Sequence, residues 1–149
     1  MASDSLEAFL ANTDEEGTHT CVVDSCELIN GKDGRVWFKI SYVVDDENND
    51  LDGEEFTEMF QDFGHLKKED FRELSSEERS RARRSVRAKH NRLMSLGVPE
   101  NKITNFDDFD SLVGKQVSVV VETWSRTRTN DAGREVTQKG INIKSVELI

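Results

Sequence analysis

Val36-Trp37-Phe38-Lys39-Ile40-Ser41-Tyr42-Val43-Val44 is the stretch on which the fold of this chain turns. Val36, Phe38, Ile40, Tyr42 and Val44 alternate with Trp37, Lys39, Ser41 and Val43, a period of two that makes a β-strand with one apolar face. Asn30-Gly31-Lys32-Asp33-Gly34 stands before it, turn chemistry in which Asn-Gly and Asp-Gly accept positive φ. Residues 19–29, rich in Thr, Val and Cys, are therefore the first strand of a hairpin. Downstream, residues 45–52 read as an acidic loop. Residues 53–63 read as a third strand with Phe56 and Phe60 in register.

The period then changes. Ser75 with Glu78 three residues later is a capping-box signature. Ala82, Val86, Leu93 and Leu96 recur at helical spacing, and Gly97 followed by Pro99 supplies the stop. A second short segment at 106–113 leads through Gly114-Lys115 into a long strand at 116–129, with Val117, Val119 and Val121 on one side. Asn130-Asp131-Ala132-Gly133 is another hairpin turn, and 136–149 is the closing strand. The order is β-β-β-α-β-β. It predicts a mainly β domain with an inserted helix (α+β), a five-stranded OB-like Greek-key barrel over residues 18–149 with its helical insertion at about 67–113. Residues 1–17 are expected to be an acidic, mobile segment with at most a helical turn at Leu6, Phe9 and Leu10.

Charge is sharply segregated. The chain carries a net charge of −10, yet Arg79, Arg81, Arg83, Arg84, Arg87, Lys89 and Arg92 fall within one helical stretch free of acids. Residues 1–64 hold 17 acids against 3 bases, and residues 65–102 hold 11 bases against 6 acids. One cationic element on an acidic molecule points to an anionic partner, or to docking on the chain's own acidic half. Arg79, Arg83 and Arg87 form an i, i+4, i+8 ridge with Arg84 beside it. Arg83, Arg84, Arg87 and Arg92 have no acid three or four positions away, so local helix pairs do not account for them.

Strand parity supplies the candidate stacking residues. With Phe38, Ile40 and Tyr42 inward, Trp37 and Lys39 face outward. With the valines at 117, 119 and 121 inward, Glu122, Trp124, Arg126 and Arg128 face outward, and Arg134 and Lys139 add charge to the same hairpin. A nucleobase stacks on an aromatic face while neighbouring cations neutralise phosphate. The structural alternative is that helix or a second subunit covers both tryptophans.

The layout of 19–29, the turn, Val36-Trp37-Phe38-Lys39-Ile40, the strand opening at Gly53, the basic helix and Leu112-Val113-Gly114-Lys115-Gln116-Val117-Ser118-Val119 resembles the bacteriophage single-stranded-DNA-binding proteins of the OB type. The resemblance covers about 130 residues in layout. It implies binding of single-stranded DNA in phage replication or recombination, in the host cell cytoplasm. Many such proteins recruit partners through an acidic C-terminal tail. Here the sequence closes on Lys144-Ser145-Val146-Glu147-Leu148-Ile149, and the acid sits in the first half. Replication or recombination proteins would then be met through that acidic half, and self-association through the charge segregation.

Other classes find less support. His19, His65 and His90 are scattered without metal-ligand spacing, and neither GxxxxGK[ST] nor GxGxxG occurs. No enzyme activity, cofactor or metal is expected. No apolar run approaches the roughly 18–20 residues of a membrane span. Cys21 and Cys26 lie five apart on one strand, a spacing that points them to opposite faces, excludes a disulfide and suits a cytoplasmic protein. The alternative function is an acidic adaptor or DNA mimic that binds a protein partner, which the net charge favours.

Overall fold

A computed structural model describes residues 15–64 and 66–149, so the expectation for the N-terminal segment lies, as far as residue 14, outside the described residues. Five strands make one antiparallel sheet: β1 Gly17–Asn30, β2 Val36–Val44, β3 Glu55–Asp62, β4 Gln116–Thr129 and β5 Glu135–Leu148. Their order is β3-β2-β1-β4-β5. β2 and β4 keep the predicted bounds, because alternation and turn residues mark both ends. The sheet is open between β3 and β5 among the described residues, so the established architecture is a mainly β, open five-stranded sheet with a helical insertion after β3.

That insertion holds a short helix, α1 (Lys68–Arg72), and a long one, α2 (Ser76–Ser95). Ser75 caps α2: its Oγ accepts from the Glu78 amide at 3.1 Å and donates to the Glu78 carboxylate at 3.0 Å. Gly97 ends it at φ 91°, and a side chain there would also run into Leu148, 2.9 Å from the Cβ position. The short segment at 106–113 makes one 3-10 turn, Phe109–Ser111. α2 packs on β3 and reaches β5, so it lies across the open side of the sheet.

The core lies between the sheet's inner face and α2. Phe38, Ile40, Tyr42 and Val44 of β2 meet Val117, Val119 and Val121 of β4, with Leu93 of α2 and Leu96 just past its end above them, all essentially inaccessible to water. Parity held on both strands. On β1 it did not. The β1–β2 register slips at Asp24, between Val23↔Tyr42 and Ser25↔Ser41. A bulge of one residue turns every later side chain to the other face. Cys21 is buried and Cys26, paired with Ile40, packs against the same core. The two cysteines therefore share a face, contrary to the expectation. They are free thiols, and about 16 Å of strand separates them, beyond the roughly 7 Å a disulfide spans. Burial pushes the Cys21 thiol up to about 11 and that of Cys26 up to about 12, so both are inert at neutral pH.

Candidate nucleic-acid interface

The β4–β5 ribbon outruns the core. Val121 is the last buried residue of β4, and every residue from 122 to 129 is exposed. The ladder continues regardless, pairing Trp124 with Gly140, Arg126 with Gln138 and Arg128 with Val136. Cross-strand partners share a face, so Trp124, Arg126 and Arg128 line the side away from the core, as parity predicted. Trp124 is 39% exposed, and its indole packs closely against Gly140. A Cβ at Gly140 would stand 2.4 Å from a ring carbon, which explains the glycine: only its bare backbone admits the ring. The Arg126 guanidinium sits 6.0 Å from the ring centroid and donates to Gln138 Oε1 at 3.0 Å. Arg134 lies at the ribbon tip, in a turn closed by Asn130, whose amide donates to the Arg134 carbonyl at 2.8 Å.

Lys139 lies on the same hairpin. It pairs with Ser125, one residue out of step with Trp124, and so occupies the opposite face of the ribbon. It adds charge to the hairpin without joining the Trp124 face.

Trp37 and Lys39 do face outward on β2, but both are half-buried. Trp37 lies between Ile29 of β1 and Gln61 of β3, and its Nε1 would be 3.2 Å from a Cβ at Gly31, so the indole edge covers the β1–β2 turn. Lys39 lies between Glu27 and Met59. Trp37 is level with residue 29 of β1, whereas Gly17, at the strand's other end, is level with Val121, three residues short of Trp124. Measured along the strands, about 40–50 Å separates the two tryptophans. Sequence placed both on outward faces; the fold puts them at opposite ends of the sheet.

The basic helix divides by its own period. Lys89 donates to Asp62 at 2.6 Å, each side chain 11% exposed. Arg92 grips Glu58 through Nε and Nη2 at 2.7–3.1 Å, and the Tyr42 hydroxyl donates to the same carboxylate at 2.7 Å. Burial first, and then the Glu58 charge, drives the Tyr42 phenol far above its ordinary range. Two of the seven cations thus serve the fold. Arg81, Arg83, Arg84 and Arg87 are exposed and Arg79 half-buried, and among the described residues none has a carboxylate within 4 Å. Arg83 lies 5.3 Å over the Phe71 ring. Glu58 and Asp62 escaped the sequence reading although a signal was present. They alternate with Phe56 and Phe60 on the inward parity of β3, and inward carboxylates demand cations.

A groove of ≈ 660 Å³ at the Asn30 end of the sheet is lined by Leu28, His90, Asn105, Phe106 and Phe109 among others, and by none of the eleven residues expected to contact nucleic acid. Among the described residues no helix is long and apolar enough to cross a membrane, and no three of His, Cys, Asp and Glu gather into a metal site. No family model matches the chain, and no curated protein matches it at a significant level.

Proposed function

We propose that this protein binds single-stranded DNA without strong sequence preference and that the distal β4–β5 ribbon is its principal contact. The observation that carries this reading is the ribbon's outer face. Trp124 is exposed and packed on Gly140, Arg126 and Arg128 are beside it, Arg134 is at the tip, and none of these cations has a carboxylate within 4 Å among the described residues. A base stacking on such an indole is worth roughly 1–3 kcal/mol, and stacking is blind to base identity because every base has a π-face. Arg126, Arg128 and Arg134, which run from the stack toward the ribbon tip, meet successive phosphates. Lys139 adds attraction from the other face, and Trp37 with Lys39 forms a separate, shallower contact on β2.

The strand order fits an OB-like Greek-key barrel opened between β3 and β5, with α2 across the gap. Such folds offer the loop between the fourth and fifth strands to single strands, and here that loop is the ribbon. With the likeness to phage single-stranded-DNA-binding proteins, it supports a role in replication or recombination in the host cytoplasm. The acidic adaptor is the second reading, favoured by the net charge of −10.

One measurement separates them: the mobility shift of a labelled oligothymidine at low salt, beside a duplex of equal length, with tryptophan fluorescence recorded in parallel. The expected result is a shift with the single strand, little with duplex, and quenching. A chain that shifts neither overturns the DNA-binding reading.

A further inference from the structure

The exposed half of the basic helix borders a slot that lies apart from the proposed ribbon contact. Phe63, Leu66 and Phe71 form one wall, and Ala82 and Val86 of α2 form the other, around ≈ 340 Å³. Lys67, Lys68, Arg83 and Arg87 ring its mouth, and among the described residues no carboxylate lies within 4 Å of any of their four side-chain cations. An almost purely apolar interior with a cationic rim suits a bulky aliphatic or aromatic side chain flanked by carboxylates. A nucleobase suits it poorly, because its edge N–H and C=O groups would be buried without partners.

The chain itself contains a complementary stretch. Leu6, Phe9 and Leu10 are interleaved with Asp4 and Glu7 and followed by Asp14, in an N-terminal region with no basic residue. Reach bears on whose slot it fills. Gly17 starts β1 level with Val121, while the slot begins at Phe63, next to Asp62, which is level with Val36 and Asn30 at the other end of the same strand. That is about 40 Å along β1, whereas the eight residues from Phe9 to Gly17 span at most about 29 Å and the eleven from Leu6 about 40 Å only at full extension. A neighbour's slot therefore accommodates the whole stretch with less constraint than the chain's own.

We propose that the acidic, apolar stretch at Leu6, Phe9 and Leu10 of a second copy docks in the slot between α1 and α2, linking protomers head to tail. Such a contact is heterologous and does not close on itself, so it builds open chains of protomers. It stands independently of DNA binding and would array copies along a strand where DNA binding also holds.

Sedimentation velocity on the full-length chain at low salt, without DNA, tests it. Association should rise with protein concentration and weaken with salt. Phe9→Ser with Leu10→Ser should reduce the association constant at least about tenfold, and so should Arg83→Glu with Arg87→Glu. Mixing these two defective chains should restore a 1:1 complex and nothing larger, because one keeps the slot and the other keeps the segment. Lys67→Glu with Lys68→Glu, on the opposite rim, replaces the arginine pair should that variant fail to fold. A parent chain monomeric at every concentration, variants that associate like the parent, or a mixture that stays monomeric would each overturn the proposal. So would slot variants that keep association and lose oligothymidine affinity, which would give those cations to nucleic acid.

Discussion

Helix α2 and the distal β4–β5 ribbon are the two cationic regions of an acidic protein, and they place their charge in opposite ways. α2 turns Lys89 and Arg92 inward, where Asp62 and Glu58 receive them in surroundings that exclude most water. The ribbon holds Arg126, Arg128 and Arg134 beyond the edge of the core, with no carboxylate within 4 Å among the described residues. A buried cation must be matched, because the desolvation penalty of an unmatched charge exceeds what packing returns. A cation in water carries no such demand and stays available to an anionic ligand. Charge content alone therefore does not mark a binding surface; the position of each charge relative to the core does.

The comparison breaks most visibly at Glu58. Glu58→Gln leaves Arg92 half-buried without its counter-charge and weakens the Tyr42 hydrogen bond, and should cost roughly 3–5 kcal/mol of stability in chemical denaturation. Oligothymidine affinity of the folded fraction should be unchanged. A loss under about 1 kcal/mol would show the pair to be solvated like a surface bridge.

The tryptophans sharpen it next. Trp124→Ala should weaken oligothymidine binding by roughly 1–3 kcal/mol while the melting temperature barely moves, since the ring is exposed. Trp37→Ala should act mainly on stability, by less than the roughly 3–5 kcal/mol of a fully buried aromatic, because half of that ring covers the β1–β2 turn. Equal affinity losses in both would make the β2 face a full partner in binding.

A third test reads electrostatics. Arg126→Gln with Arg128→Gln should flatten the slope of log K against log salt by about 0.7 per lost phosphate contact. Arg83→Gln, Arg84→Gln and Arg87→Gln together should leave the slope for a short oligonucleotide as it was. A flattened slope in the helix variant would join the two regions into one track. The smallest effect is expected from Gly140→Ala, whose methyl must displace the Trp124 ring. Its emission should shift to the red, with an affinity loss no larger than that of Trp124→Ala.

Much of the architecture was legible in the residues. The alternation of Val36–Val44, the Asn-Gly and Asp-Gly turn, the Ser75 cap and the Gly97 stop are local signals, because backbone geometry sets periods of two and 3.6 within a few residues. The outward placement of Trp124, Arg126 and Arg128 followed from the same period. Three features did not follow. Cys26 faces the core because β1 bulges at Asp24, and a bulge depends on which strand lies opposite. The face of Lys139, opposite to Trp124, is fixed by its partner Ser125 across the turn. Arg92 and Lys89 found Glu58 and Asp62 some thirty residues away, a match no helix-local count of acids could reveal.

The sequence by itself therefore determined the elements, their order, the inward faces of β2 and β4 and the separation of charge. Only the tertiary structure decided which cations are matched, that Trp37 and Trp124 stand at opposite ends of the sheet, and that an apolar slot opens beneath the arginine ridge. The reason is physical. Periodicity is a property of the chain's own backbone, whereas register, bulges and ion-pair partners are properties of two segments brought together, and burial alone makes such a pairing obligatory.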